Sequence, residues 1–160
     1  MYKFFLIVAL VACSCRTATY YIVRHAEKEP VNTMSSDVPL SDSGKQRAQA
    51  LKQLLEKENI RHIFSTNYIR TKSTAQPLAD AIHVPIEVYD PKDSTFVSKL
   101  KTLDGSTLII GHSNTVDDLV NELAGKKEIN GDLPDPEYGD LFVVKRKGNH
   151  FSFEKRHFGN

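Results

Sequence analysis

This sequence predicts an α/β fold: a three-layer sandwich with a mostly parallel central sheet and a C-terminal antiparallel hairpin. Three observations support that reading. Residues 20–24 and 106–110 are apolar, β-branched or aromatic runs with the length of buried strands. Segments with helical spacing separate the strand-like runs, as parallel strands joined by crossover helices require. Near the C-terminus, residues 140–147 and 151–157 flank Gly148-Asn149, a short turn signal that joins two strands as a hairpin.

The elements follow in order. Residues 20–24 form the first strand, and Arg24-His25-Ala26-Glu27 stands at its end. Residues 29–39 hold Pro30, Asn32, Ser35, Ser36, Asp37 and Pro39 and read as a loop that walls whatever lies at that strand end. Ser41 caps the first helix, in which Ala48, Leu51, Leu54 and Leu55 recur at helical spacing opposite Lys45, Gln49, Lys52 and Glu56. Residues 60–65 form a second strand whose alternation is imperfect. Ser65-Thr66-Asn67 then caps a helix over 68–82, which Pro77 should kink or divide. Residues 84–89 are a third strand. Asp90 to Ser94 is a turn, with Asp93 or Ser94 capping a short helix through Phe96, Leu100 and Leu103. The strand at 106–110 runs straight into Gly111-His112-Ser113-Asn114. Asn114 is placed as the cap of a helix over 115–124 that Gly125 closes. Residues 131–139 are a loop rich in Pro and Asp.

The chain has 160 residues, enough for one domain with a sizeable core. Its formal net charge of +1 gives no reason to expect a nucleic-acid partner, and Lys126-Lys127 is too short a basic run to change that. The histidines lack Cys, Asp or Glu partners at ligand spacing, so no metal is expected, and there is no glycine-rich nucleotide loop. Residues 1–12 differ from the rest. Lys3 precedes an apolar run from Phe4 to Ala12 that is too short to span a bilayer and suits the core of a signal peptide. Leu10-Val11-Ala12-Cys13 looks like a bacterial lipobox, with Cys15 a less favoured second choice. The expectation is a leader over 1–12, lipidation at Cys13, a tether over 13–19 and a domain over 20–160. Such a protein would sit in the cell envelope, anchored to a membrane on the extracytoplasmic side. The competing reading is a buried N-terminal strand with two core cysteines. Two residues apart, Cys13 and Cys15 cannot make a long-range disulfide framework, which also argues against a catalytic thiol.

Strand ends are where ligand sites are built in α/β folds. Here one strand end carries Arg24 and His25, a second precedes Arg70, and a third carries His112. Arg70 falls in the first turn of its helix, where the backbone is already positive, and a bound anion would resolve that conflict. The residues Val23-Arg24-His25-Ala26-Glu27, Leu40-Ser41-Asp42-Ser43-Gly44, 65–75 around Arg70-Thr71, and Leu108-Ile109-Ile110-Gly111-His112-Ser113 resemble the histidine phosphatase superfamily, the phosphoglycerate mutase-like fold. They occur in the family's order, and the small size is similar to its short branch, which includes phosphohistidine protein phosphatases. The resemblance implies a cofactor-independent phosphatase in which His25 attacks phosphorus while Arg24, Arg70 and His112 bind the phosphoryl group, with His112 protonated beside it. Its substrate would be a small phosphomonoester or a phosphoprotein. It further implies an acidic proton donor between the third strand and the next helix. Glu87, Asp90 and Asp93 are available there, and Asp90 is chosen because it leaves the strand end first. The alternatives are a phosphate-binding module without turnover, or a mutase.

Overall fold

Thr17–Arg24 (β1) lies inside a six-stranded sheet and explains why its sequence shows no polar face. Tyr20 and Ile22 pack into one core with Phe64, Leu100, Ile109 and Val120, whereas Tyr21 and Val23 pack into another with Leu51, Leu55, Leu78 and Leu108. A strand covered on both faces needs apolar residues at every position. The computed structural model describes residues 17–30 and 37–159. The expected leader and Cys13 lie outside the described residues. The strand starts earlier than the sequence indicates: Ala18 is buried and pairs with Gly105 on one side and Arg146 on the other, so residues 17–19 belong to the sheet and not to a tether.

The remaining elements are α1 (Asp42–Leu55), β2 (Ile60–Ser65), α2 (Ile69–Ile82), β3 (Ile86–Val88), α3 (Phe96–Thr102), β4 (Gly105–Gly111), α4 (Ser113–Ala124), β5 (Asp140–Lys147) and β6 (His150–His157). The strand order is β3-β2-β4-β1-β5-β6. The first four strands are parallel, and β5 and β6 are antiparallel additions. Helices α1 and α2 cover one face; α3 and α4 cover the other. The imperfect alternation in β2 has two causes: both its faces are covered, and its register against β4 shifts between Ile60 and His62.

Local expectations are revised where a tertiary contact competes. Pro77 does not divide α2, which runs as one helix. The third strand is only three residues long, because Pro85 has no N–H to give the ladder and pairing begins at Ile86. Tyr89, expected at its end, instead turns into the core and stacks on Phe96 at 4.2 Å. Helix α2 is not capped by Ser65, Thr66 or Asn67. Its N-cap position is Tyr68, and the Asp37 carboxylate accepts the Ile69 N–H at 2.8 Å. Helix α4 has His112 at its N-cap position, with the His112 N–H donating to Thr115 Oγ1 at 2.9 Å, while Asn114 has non-helical angles. Asp93 takes the turn before α3, accepting from the Thr95 N–H and hydroxyl.

Candidate active site

Parallel pairing brings three strand ends together. Arg24 lies beside Gly111, Ser65 beside Ile110, and the His25 N–H donates to the Gly111 carbonyl at 2.9 Å. A side chain at Gly111 would press on Thr115 Oγ1 and the Tyr89 hydroxyl, so only glycine lets β4 turn into α4 and present His112 here. The resulting cleft is about 660 Å³ and is lined by Arg24, His25, Arg70 and His112, among others. The His25 and His112 rings lie 5.4 Å apart, and an Arg70 guanidinium nitrogen is 3.3 Å from His112 Nδ1.

Hydrogen bonds assign the tautomers of both rings. His25 Nδ1 lies 2.7 Å from the Ala26 carbonyl, which can only accept, so Nδ1 carries the proton and Nε2 keeps its lone pair. That carbonyl is itself held in place, because the Ala26 N–H donates to Thr74 Oγ1 at 2.9 Å. For His112, Nδ1 faces the Arg70 donor and must accept, so Nε2–H donates to Thr66 Oγ1 at 2.9 Å. The Thr66 hydroxyl, bonded onward to Thr71, orients His112 and does not cap a helix.

Charge follows from burial. Desolvation, together with the positive charge of Arg70 and Arg24, lowers both imidazole pKa values to about 4, and the carbonyl bond to His25 offsets only part of this. With only these groups around it, His112 is therefore neutral near pH 7. A phosphoryl dianion reverses the local field and favours its protonation. Stability acquires a pH dependence whose direction is fixed. Between pH 6.5 and about 4 the unfolded chain binds protons at these histidines that the folded chain does not, so stability falls as pH falls through that window. Above pH 6.5 neither state is protonated and the effect vanishes. For the buried His25 alone the loss amounts to about 3 kcal/mol. Urea unfolding at pH 7 and pH 4.5 should show it, and equal midpoints would contradict it.

Arg70 sits at the positive end of α2, and the conflict noted in the sequence is met from within the chain. Asp37 Oδ1 bonds the Ile69 N–H and lies 3.8 Å from the Arg70 guanidinium. The Arg70 Cζ also stacks 4.5 Å over the Tyr68 ring. Arg24 is only 5% exposed and is engaged by residues 131–139. Its guanidinium donates to the Asp135 carboxylate and to the Pro134 carbonyl, and its Cζ lies 4.4 Å from the Tyr138 ring centroid.

Asp90 is not brought to the site. Its carboxylate accepts the Lys92 N–H at 2.9 Å in an Asx turn before Pro91, and Asp90 is absent from the cleft wall. A turn-forming Asp ahead of Pro spends its side chain locally, so position after a strand end did not predict direction. The carboxylates that do line the cleft are Asp93, Asp118, Glu122 and Asp135. Hydrogen bonds from Thr95 hold Asp93 below the ordinary carboxylate range, and Arg24 does the same to Asp135. Glu27 forms an ion pair with Arg47, whose guanidinium also reaches the Phe158 carbonyl at 2.8 Å. Lys28 lines the cleft. Among the described residues no group of three His, Cys, Asp or Glu is placed to hold a metal, and no helix is long and apolar enough to cross a membrane.

Residues 20–91 match the family described as the histidine phosphatase superfamily (branch 1). A probable phosphoglycerate mutase, GpmB, of Salmonella choleraesuis (strain SC-B67) is 32% identical over 117 residues, 69% of this chain and 49% of that protein. The chain thus spans about half the length of that relative. Among solved structures, the protein histidine phosphatase SixA complexed with tungstate superposes with a TM-score of 0.70 at 20% identity, over 87% of this chain and 96% of that one. A mycobacterial glucosyl-3-phosphoglycerate phosphatase with inorganic phosphate gives 0.65 at 14% identity, over 87% and 95%. At such identities the structural likeness speaks for the fold. Joined to the matched family sequence and to strand-end motifs occurring in that family's order, it places the chain in the histidine phosphatase superfamily.

Proposed function

We propose that the chain is a phosphatase that hydrolyses a small phosphomonoester or a phosphoprotein through a phosphohistidine at His25. The observation that carries this reading is the Nδ1–H bond from His25 to the Ala26 carbonyl, which leaves a neutral ring with a free Nε2 lone pair beside two guanidinium groups. In the first step Nε2 attacks phosphorus. The bond from phosphorus to the leaving group breaks, and its electron pair leaves with that group, which takes up a proton. In the second step water attacks the phosphohistidine, the P–N bond breaks, and inorganic phosphate and free His25 result. Arg24, Arg70 and His112 serve the charge on the non-bridging oxygens, where fixed donors are most effective. Arg70→Ala is expected to lower kcat/KM for an aryl phosphate by roughly tens- to hundreds-fold, the effect of one lost charge-assisted bond.

Asp93 and Asp135 are both held ionised, so neither is primed to protonate a poor leaving group. This supports substrates whose leaving group departs without strong acid help, an N-phosphoryl group being one class, over phosphoryl exchange between sugar-acid hydroxyls. The decisive experiment is a non-acidic quench after mixing with an aryl phosphate, followed by mass spectrometry of peptides. A phosphoryl group on the His25 peptide supports the reading. Tight vanadate binding with neither phosphoenzyme nor turnover would make the chain a binding module instead, and an isomerised phosphosugar acid would make it a mutase. For placement in the cell we propose a lipid anchor at Cys13 in a bacterial envelope, on the leader-like composition of residues 1–12. Recovery of full-length protein and its Cys13→Ser variant in the same soluble fraction would overturn it.

A further inference from the structure

The mechanism uses Arg24 as a phosphate ligand, yet the Arg24 fork is already occupied. One nitrogen donates to the Asp135 carboxylate and the other to the Pro134 carbonyl at 3.3 Å, while the Tyr138 ring covers the flat face at 4.4 Å. The burial of the two charged partners is unequal. Arg24 is 5% exposed, and the Asp135 side chain is 76% exposed. A buried cation needs a counter-charge when its ligand is absent, and here an acid reaching in from the rim supplies it.

We infer that Asp135 is an affinity-setting residue, a resident carboxylate that holds the Arg24 guanidinium between turnovers and yields it to the incoming phosphoryl group. The inference rests on the phosphatase reading of the cleft. A carboxylate presents the same oxygen geometry to a guanidinium fork that a phosphoryl group presents, so the two compete for one set of donors. They cannot share it comfortably, because a dianion brought against Asp135 repels it. Release is easy on the Asp135 side. The side chain is already mostly hydrated, so turning it outward demands little desolvation of other groups. Lys28, on the same cleft wall, is the next cation whose charge acts on it. The segment need not unfold. Leu133 is buried and its N–H donates to the Ser113 carbonyl at 2.9 Å, and at the other end the Gly139 carbonyl accepts from the Phe158 N–H at 2.9 Å. Between those anchors a side-chain rotation frees the fork.

This role differs from that of a proton donor. Arg24 stabilises the charged form of Asp135, which keeps it deprotonated at neutral pH. Displacement weakens the binding of substrate and free phosphate alike, but a substrate recovers binding through its leaving group and inorganic phosphate cannot. The expected consequence is faster discharge of product.

Calorimetric titration with inorganic phosphate and with vanadate, at fixed ionic strength, tests this on the full chain and on its Asp135→Asn and Asp135→Ala variants. Both variants should bind phosphate about fivefold more tightly, the scale of a largely exposed charge pair, and the gain should vanish when Asp135→Asn is combined with Arg24→Ala. Unchanged phosphate affinity overturns the inference while leaving the phosphatase reading intact. A fall in kcat with unchanged phosphate affinity also overturns it and makes Asp135 an acid. Absence of phosphate binding in the wild type and in both variants sinks the reading of the cleft and this inference with it.

Discussion

His25→Ala is expected to reduce aryl phosphate hydrolysis, measured in the presence of a chelator, by at least about 10³-fold. The variant loses the atom that forms the covalent bond, so no rearrangement of the remaining groups replaces it. Arg24, Arg70 and His112 remain on the cleft wall, so phosphate or vanadate binding should survive within an order of magnitude. That split separates a nucleophile from a structural histidine, whose loss would weaken binding and turnover together. A second signature comes from linkage. His25 is held neutral by burial, with its pKa lowered to about 4, so deleting it removes part of the acid sensitivity of the fold. Below pH 6 the variant should lose less stability than the wild type as pH falls. Equal hydrolysis rates in wild type and variant would remove His25 from the reaction.

Gly44→Ala is expected to cost about 3 kcal/mol of stability by urea unfolding, at the upper end of overpacking effects. On propensity alone the sign would be opposite, since alanine in a helix is favoured over glycine by about 1 kcal/mol. The difference lies in one contact. In the first turn of α1, Gly44 faces the backbone of Glu27, and a Cβ there would overlap the Glu27 carbonyl oxygen. That carbonyl is pinned, accepting from the Ser41 N–H at 2.9 Å, and the obstacle is backbone that cannot rotate away. Glu27 lies two residues beyond His25, so the variant should also lose turnover. A variant as stable as the wild type would show that the helix start can shift without strain. The Leu40-Ser41-Asp42-Ser43-Gly44 stretch, one of the segments that carry the family resemblance, thus acts as the rest on which the strand end bearing His25 sits.

How much of the site could be read in advance follows from where its parts come from. His25, Arg24 and His112 stand at the ends of strands whose apolar runs are unmistakable, so their convergence follows from parallel pairing once the strands are recognised. Arg70 is legible because it breaks a rule for helix N-termini, although the partner that meets it is Asp37 and not only a ligand. Asp135 and Tyr138 had no such signal. They lie 111 and 114 residues from Arg24, in a loop with no periodicity to fix their direction. Asp90 failed for the converse reason: its local bond to Lys92 competes with any outward role.

By itself, the amino-acid order determined the alternation of strands and helices, the two buried faces of the sheet, and the presence of imidazole and guanidinium groups at neighbouring strand ends. Hydrophobic period and backbone pairing act over short stretches, and they leave a readable trace. Only the packed molecule decided which carboxylates reach the cleft, which nitrogen of each histidine keeps its proton, and that both rings are neutral. Those properties depend on burial and on charges brought close by chain folding, and neither quantity exists until distant segments meet.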